Sequence, residues 1–227
     1  MAFQFSPKIV TDGLVLFLDA ANTKSYPGSG TVWNDLSRGG NNGSLVGSPT
    51  FNSSNGGTIV FDGINNFVSV PDSNSWDFTN SLSMECWVYV NSYDPEGVMF
   101  VHQQSGLSYG GFEFWVQNTN VIRFGKNGIT PIIASSGVFT TGVWNHVVVT
   151  IDGTVGRIYL NTVVVGNTST ATVPDNVTGQ LRIGSYTNTG FYELNGRLSC
   201  LRIYKDKALT SSEVLQNYNA TKSRFGL

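Results

Sequence analysis

Two carboxylates and two tryptophans lie at positions from which their side chains could act on a sugar. Glu85 and Trp87 occur in one segment of alternating apolar and polar residues, and Glu113 and Trp115 occur in another. In a strand, such alternation places both residues of each pair on the same face. Two carboxylates across a glycosidic bond can act as acid and base, and an indole ring stacks on a sugar. The residues therefore raise two alternatives, cleavage and binding.

The candidate binding residues are aromatic or hydrogen-bonding side chains of these two segments and of nearby loops. We treat Trp87 and Trp115 as members of one aromatic face. Tyr109 and Tyr192 lie in segments rich in Gly, Asn and Thr and are further candidate contacts. The full set is Trp87, Tyr89, Tyr109, Glu113, Trp115 and Tyr192. The alternative is that these large aromatics fill a concave sheet or anchor a covering loop.

The histidines and cysteines give little support for metal or nucleophile chemistry. The chain has only two of each, His102, His146, Cys86 and Cys200, and all four would have to converge to form a zinc site. We expect His146 to be a satisfied packing residue. The cysteines are expected to be buried small apolar side chains. Whether they pair is left open, because pairing depends on the distance between their Cα atoms.

The elements that position these residues are many short strands. Apolar or alternating runs are separated by turn clusters, a pattern typical of an antiparallel sandwich. The predicted strands are Leu14–Asp19, Thr58–Phe61, Phe67–Val70, Leu82–Val90, Val98–His102, Phe112–Gln117, Val121–Phe124, Trp144–Ile151, Arg157–Leu160, Leu181–Ile183 and Arg197–Tyr204. Asp152-Gly153 predicts a hairpin. Residues 20–57 are expected to form a loop packed over one edge of the sandwich.

One short helix is predicted near the C-terminus. Thr210-Ser211-Ser212-Glu213 has the spacing of a capping box, and Val214, Leu215 and Tyr218 follow it on one side. No repeat, low-complexity tract or charge block divides the chain. We therefore expect residues 1–227 to form one domain with a core from about 14 to 218.

The charge and hydrophobicity of the chain exclude several classes of partner. The 227 residues carry a formal net charge of −2 without a run of Lys or Arg, so no nucleic acid is expected. No apolar run approaches the roughly 20 residues of a membrane-spanning helix, so no membrane partner is expected. The first residues lack the basic and then apolar order of a signal peptide, so none is predicted.

Several motifs in fixed order carry a family resemblance. They are Phe61-Asp62-Gly63, Phe67-Val68-Ser69-Val70, Leu82-Ser83-Met84-Glu85-Cys86-Trp87-Val88, Trp144-Asn145-His146-Val147-Val148, Arg157-Ile158-Tyr159-Leu160-Asn161, Leu181-Arg182-Ile183-Gly184 and Leu201-Arg202-Ile203-Tyr204. Together they resemble the laminin-G-like, concanavalin A-like lectin/glucanase superfamily, from about Leu14 to Tyr218. The resemblance implies an all-β fold, a two-sheet antiparallel jelly-roll sandwich. It does not imply a function, because this fold hosts lectins, hydrolases and structural domains.

A second, looser resemblance comes from the two ends of the chain. The stretches that carry it are Ile9-Val10-Thr11-Asp12-Gly13-Leu14-Val15-Leu16, Lys24-Ser25-Tyr26-Pro27-Gly28-Ser29-Gly30, Trp33-Asn34-Asp35-Leu36-Ser37 and Asn217-Tyr218-Asn219-Ala220-Thr221-Lys222-Ser223-Arg224-Phe225-Gly226-Leu227. They are similar to virion structural proteins of tailed bacteriophages. This resemblance implies a location on the virion surface or outside the cell. It also implies contact with a host-surface polysaccharide or another virion protein, and leaves a homo-oligomer open.

The superfamily resemblance also bears on catalysis and on calcium. Laminarinase-type hydrolases of this fold carry the motif Glu-x-Asp-x-x-Glu, which does not occur here. We therefore predict a binding or structural module that is not an enzyme, with a laminarinase-like glycan hydrolase as the alternative. No catalytic residue, metal ligand or cofactor is predicted. A single structural calcium ion is left open, with Asp19, Asp62 or Asp206 as the carboxylates considered.

Overall fold

The computed structural model describes residues 8–93, 97–103, 111–126, 131–186 and 192–227. The strands are, in chain order, β1 (Leu14–Asp19), β2 (Val32–Trp33), β3 (Gly43–Val46), β4 (Thr50–Asn52), β5 (Thr58–Asp62), β6 (Phe67–Val70), β7 (Ser81–Ser92), β8 (Gly97–Gln103), β9 (Phe112–Gln117), β10 (Ile122–Lys126), β11 (Pro131–Ala134), β12 (Trp144–Asp152), β13 (Val155–Leu160), β14 (Val163–Thr168), β15 (Leu181–Ile183) and β16 (Asn195–Lys205). Helix α1 spans Ser211–Thr221, and 3₁₀ turns span Ser54–Gly56, Asn74–Trp76 and Lys222–Phe225. No helix in the described ranges is long and apolar enough to cross a membrane.

The strands form two antiparallel sheets that pack face to face, so the predicted jelly-roll sandwich is confirmed. One sheet has the order β14-β13-β12-β7-β16-β5-β4, with β1 paired to β16. The other has the order β11-β10-β9-β8-β15-β6-β3-β2. We call the first the covered sheet, because α1 packs on its outer face, and the second the open sheet. The inner faces share one apolar core.

Alternation along the strands determines which side chains enter this core. In β7 the residues Leu82, Met84 and Cys86 are buried in the core, and in β9 Phe112 and Phe114 are buried in it. The intervening residues of each strand point to an outer face, as the period of two requires. The hairpin predicted at Asp152-Gly153 joins β12 to β13.

Residues 20–57 differ from the prediction of a loop. They contain three short strands, β2, β3 and β4, of which β2 and β3 extend the open sheet beyond β6 and β4 extends the covered sheet beyond β5. The segment does cover sheet edges, but it does so by backbone pairing. Strands of only two to four residues, within a segment rich in Gly, Ser and Asn, show too little periodicity to be recognised.

The C-terminal helix begins with the predicted capping box. The Thr210 hydroxyl accepts a hydrogen bond from the backbone N–H of Glu213, and the Glu213 side chain accepts one from the backbone N–H of Thr210. Val214 is fully buried, whereas Leu215 is 47% exposed. The prediction that both lie on the packed side is therefore wrong for Leu215, because consecutive helical residues point about 100° apart.

A network of buried polar groups joins this helix to the outer face of the covered sheet. Arg202 Nη1 donates a hydrogen bond to Glu85 Oε1, and His146 Nε2 lies 3.3 Å from Glu85 Oε2. From the helix, Asn217 Nδ2 donates to Glu85 Oε1 at 3.0 Å and to the Tyr204 hydroxyl at 2.9 Å. Each of these five residues is at most 2% exposed. The helix thus shields an ion pair that would otherwise face water.

The last turn of the chain is attached by a second ion pair. The Arg224 guanidinium donates two hydrogen bonds to the Asp19 carboxylate, at 2.8 and 3.0 Å. Asn55 Nδ2 donates to the backbone carbonyl of Arg224 at 2.9 Å. These bonds keep the 3₁₀ turn after α1 on the same outer face, so the cover extends beyond the helix.

The charge of Glu85 makes stability depend on pH. Burial alone would raise the pKa of Glu85, but the positive charge of Arg202 and the hydrogen bond with His146 outweigh it and lower the pKa to about 2. In the unfolded chain the pKa of Glu85 is near its ordinary value of 4.5. The ionised form therefore stabilises the fold above pH 4.5, and this contribution decreases as the pH falls toward 2.

We predict that Glu85→Gln lowers the free energy of unfolding at neutral pH, by about 3–5 kcal/mol, because Arg202 then remains buried without its counter-charge. Between pH 4.5 and 2 the stability of this variant should decrease less steeply than that of the wild type. Urea unfolding at pH 7, 4.5 and 3 measures both effects. The exposed carboxylate of Asp72 provides the control Asp72→Asn. Equal acid dependence in wild type and Glu85→Gln would contradict the role assigned to Glu85.

Candidate functional site

The outer face of the open sheet carries partly exposed aromatic and charged side chains. In β9 Glu113, Trp115 and Gln117 point outward, opposite the buried Phe112, Phe114 and Val116. Arg123 of β10 pairs directly with Trp115 across the two strands. The strands hold these side chains on a rigid surface, which favours recognition of a ligand.

Three aromatic rings meet on this face and form what we call the aromatic cluster: Trp115, Tyr186 and Tyr192. Trp115 and Tyr192 pack edge to face with centroids 5.2 Å apart, and Tyr186 and Tyr192 do so at 5.7 Å. The Arg123 guanidinium carbon lies 5.5 Å from the Trp115 ring centroid. Edge-to-face packing fixes the rings and leaves part of each face accessible.

Hydrogen-bonding groups surround the aromatic cluster. The Tyr186 hydroxyl and the Glu113 carboxylate form a hydrogen bond, and burial together with the Glu113 charge raises the pKa of Tyr186. All three members of the cluster, and Glu113, are partly exposed. The arrangement offers ring surface for stacking next to a carboxylate, a phenol and a guanidinium, which are the groups that position sugar hydroxyls.

Backbone strain at Tyr192 helps to build the cluster. Its φ is 60°, in the left-handed region that bulky residues rarely adopt. At this position the Tyr192 ring reaches Trp115, while the next residue, Glu193, accepts a hydrogen bond from the Ser185 hydroxyl at 2.9 Å. Strained residues concentrate at functional sites. The strain therefore marks this segment as a candidate site.

The structure corrects the predicted position of Trp87. Trp87 lies in the covered sheet, not beside Trp115, and it is fully buried. Its ring stacks on Phe225 with centroids 4.2 Å apart, and its Nε1 donates to the Thr221 hydroxyl at 2.8 Å. The prediction of a common Trp87/Trp115 face is therefore wrong. Alternation identifies the face of a strand but not the sheet to which the strand belongs.

The other predicted binding residues divide between the two sheets. Tyr89 lies on the outer face of the covered sheet, edge to face with Trp144, and the Arg197 guanidinium carbon lies 4.4 Å from its ring centroid. Glu113 and Trp115 lie together in β9 of the open sheet, and Tyr192 packs against Trp115. Tyr109 lies outside the described residues. Sequence reasoning missed Arg123, although its position between the apolar Ile122 and Phe124 indicates an outward side chain.

The carboxylates considered for catalysis do not form a pair. Glu85 lies in β7 of the covered sheet and Glu113 in β9 of the open sheet, on opposite outer faces of the sandwich. Glu85 is held by Arg202 and His146 as described above. The alternative in which Glu85 and Glu113 act together as acid and base is therefore excluded, because their strands belong to different sheets.

Cys86 and Cys200 are free thiols on opposite faces of the covered sheet. Cys86 lies in the shared core, and Cys200 lies on the outer face together with Arg202 and Tyr204. Burial raises the pKa of both thiols, that of Cys200 to about 11. The expectation that both are buried small side chains is confirmed.

The aspartates considered for calcium are engaged by protein groups at separate places. Asp19 accepts hydrogen bonds from Arg224, Asp62 accepts from the backbone of Ile64, and Asp206 accepts from Thr79. In the described part of the chain, no three His, Cys, Asp or Glu side chains cluster as metal ligands would. Calcium binding stays an open prediction.

Comparisons with solved structures find the same fold within larger proteins. Trypanosoma rangeli sialidase in complex with the inhibitor DANA has a TM-score of 0.69 and 16% identity, covering 99% of this chain and 36% of that chain. This chain thus spans about a third of the sialidase. The binding domain of Paraclostridial Mosquitocidal Protein 1 has a TM-score of 0.66 and 17% identity, covering 90% of this chain and 52% of that one.

A third similar structure is an isolated domain of comparable size. Domain 4 of AbnA, a GH43 extracellular arabinanase from Geobacillus stearothermophilus, was solved in complex with arabinotriose. It has a TM-score of 0.67 and 18% identity, and the alignment covers 91% of this chain and 98% of that chain. At such identities the similarity is one of fold. No curated protein matches the sequence.

A family model matches most of the chain. The matched residues, 62–215, run from the end of β5 into α1 and include the strands that carry Glu113, Trp115 and Arg182. This match agrees with the two-sheet architecture and with the similar structures. The chain belongs to the concanavalin A-like lectin/glucanases superfamily.

Proposed function

We propose that the protein is a glycan-binding module without catalytic activity, and that it binds through the outer face of the open sheet. The observation that carries this proposal is the aromatic cluster, in which Trp115, Tyr186 and Tyr192 lie partly exposed beside Glu113 and Arg123. A sugar ring presents an apolar face and a rim of hydroxyls. Aromatic rings next to hydrogen-bonding groups complement both features.

The difference between the two outer faces supports this choice. On the covered sheet, Trp87 is sealed by Thr221 and Phe225, and Glu85 is bound to Arg202. On the open sheet, the aromatic cluster is partly exposed. A ligand can therefore reach the open sheet without displacing the C-terminal segment.

The separation of the carboxylates also supports binding over cleavage. Glycoside hydrolysis needs two carboxylates on either side of one bond, and Glu85 and Glu113 lie on opposite outer faces. The laminarinase-like hydrolase remains the alternative. Release of reducing ends from β-glucan, alginate or a bacterial surface polysaccharide by the wild-type protein would favour it.

The arabinotriose complex of AbnA domain 4 gives independent support. That domain has the same fold over 98% of its length and was solved with an oligosaccharide. By analogy, this chain is suited to bind a short stretch of a polysaccharide. Fold-level analogy does not identify the sugar.

We predict that Trp115→Ala weakens binding to glycans about fivefold, since loss of one stacking platform costs about 1 kcal/mol. A glycan array and binding to whole bacterial cells measure the effect. Val163, which is 63% exposed on the covered sheet, provides the control Val163→Ala. Equal affinities of Trp115→Ala and wild type for every bound glycan would contradict the proposed face.

Replacement of Trp87 and replacement of Trp115 by alanine should differ in their effect on stability. Trp87→Ala is expected to lower the free energy of unfolding by about 3–5 kcal/mol, because it leaves a cavity beneath Phe225 and removes the bond to Thr221. Trp115→Ala is expected to change it much less, because Trp115 is partly exposed. Thermal melting of both variants tests this contrast. If Trp115→Ala destabilised the fold more than Trp87→Ala, Trp115 would have to be a core residue.

We further propose that the module belongs to a bacteriophage particle, where it contacts a host-surface glycan, another virion protein or copies of itself. The support is the sequence resemblance of Ile9–Leu14 and Trp33–Ser37 to virion structural proteins. The open sheet would then face the host or the neighbouring protein.

Particles purified from the source culture should contain this chain in a fixed ratio to the major capsid or tail protein, as measured by quantitative mass spectrometry. Reconstruction of the particle would then place its copies at symmetric positions. Detection of the chain only as a free monomer, with none in purified particles, would contradict the virion role and leave the glycan-binding proposal standing.

A further inference from the structure

A pocket of about 290 Å³ opens on the open sheet next to the aromatic cluster. It lies where β3, β6 and β15 are adjacent, and its floor is formed by Arg182, Ser185 and Glu193. Val46, Ile64 and Phe67 form apolar parts of its wall. Pockets for drug-sized ligands begin at about 300 Å³, so this one suits a single small unit.

The floor of the pocket combines hydrogen-bond donors and acceptors. The Ser185 hydroxyl donates to Glu193 Oε1 at 2.9 Å, and Arg182 Nη2 lies 3.5 Å from the same hydroxyl. All three residues are at most 3% exposed. The Ser185 hydroxyl thus lies between the Arg182 guanidinium and the Glu193 carboxylate, whose formal charges cancel.

The guanidinium of Arg182 stacks on an aromatic ring of the pocket wall. Its central carbon lies 3.8 Å from the centroid of Phe67. Arg182 itself lies in β15, paired on one side with Ser69 of β6 and on the other with His102 of β8. A planar cation stacked on a ring and mounted on a central strand has little freedom to reorient.

The rim of the pocket is also rigid. The Asp62 carboxylate accepts hydrogen bonds from the backbone N–H groups of Ile64 and Asn65, and Asn66 Nδ2 donates to the backbone carbonyl of Gly47. Gly47 has a φ of 77°, and a Cβ there would lie 2.3 Å from the Asn65 carbonyl oxygen. The two turns that form the rim are therefore locked together, which lowers the entropic cost of binding.

We propose that this pocket binds one neutral sugar unit through two adjacent hydroxyls, a proposal that rests on the glycan-binding function and specifies it. A hydroxyl both donates and accepts, so a vicinal pair can accept from Arg182 and donate to Glu193 at once. The carboxylate of an acidic sugar could accept from Arg182, but it has no proton to donate to Glu193 and would bring a like charge against that carboxylate. The pocket therefore selects for neutral units.

The position of the pocket relative to the aromatic cluster fits one continuous site. Arg182 of β15 pairs with His102 of β8, which pairs with Glu113 of β9, so Arg182 and Glu113 lie two strand spacings apart, about 10 Å, and Trp115 lies two residues further along β9. Tyr192 and Glu193 are consecutive, with one in the aromatic cluster and the other in the pocket floor. A chain stacked on Trp115 can thus place its next or terminal unit in the pocket.

The ligand preference is tested by NMR titration of the ¹⁵N-labelled protein with D-glucose, D-galactose and D-mannose, and with the corresponding D-glucuronate, D-galacturonate and D-mannuronate. At least one neutral sugar should shift the amide signals of Ile64, Asn65, Ser185 and Glu193. Its uronate counterpart should bind about tenfold more weakly or not at all. The proposal is overturned if no neutral sugar shifts these signals or if a uronate shifts them as strongly.

Variants of the rim separate the pocket from the rest of the face. Val46 is 37% exposed at the rim, and Val46→Trp should fill the pocket and weaken binding of the responding sugar about tenfold. Val163→Trp, at a 63% exposed valine of the covered sheet, is the matched control. Glu193→Gln removes the carboxylate while keeping its shape and should remove the discrimination against uronates. Thermal melting verifies that each variant is folded.

The outcomes distinguish the two proposals. If Trp115→Ala weakens polysaccharide binding but Val46→Trp and Glu193→Gln leave both affinity and uronate discrimination unchanged, the pocket proposal is wrong and the glycan-binding function stands. If the wild type binds no polysaccharide on the array, the function itself is wrong.

Discussion

The buried ion pair between Glu85 and Arg202 determines which face of this sandwich is closed. Both charges lie on an outer face of a sheet, where their attraction is strong only if water is excluded. Helix α1 provides that exclusion and adds a hydrogen bond from Asn217 to Glu85. The aromatic residues around the pair, among them Trp87, become part of the seal. The outer face of the covered sheet therefore serves to stabilise the fold.

The open sheet is consequently the face on which recognition can develop. The inner side chains of the open sheet fill the core, and its outer side chains lie outside that core. The left-handed backbone conformation of Tyr192 directs its own ring to the aromatic cluster. It also lets the next residue, Glu193, accept a hydrogen bond from the Ser185 hydroxyl. One strained residue thus links a stacking surface to a polar pocket, and we propose that both serve the same glycan.

The sequence predicted the fold class, most strands and the helix cap because these depend on local patterns. The alternation in β7 and β9 correctly separated core residues from outward ones, and the capping box at Thr210 was recognised from its spacing. The short strands β2, β3 and β4 were missed, because their pairing with longer strands, not their own composition, defines them.

The candidate site was only half predicted, for a topological reason. Trp87 and Trp115 have equivalent positions in their strands, yet their strands belong to different sheets. Which sheet a strand joins depends on contacts between residues far apart in the chain. The role of Arg182 was missed for a similar reason, because its importance comes from Phe67 and Glu193, which approach it only in the folded chain.

The most direct test of the account is a crystal structure of the protein with the oligosaccharide that binds most tightly on a glycan array. We predict a sugar ring stacked on Trp115 or Tyr192 of the open sheet, with α1 still in place on the covered sheet. A sugar bound beside Tyr89 and Trp144 on the covered sheet, or bound after displacement of α1, would contradict the account.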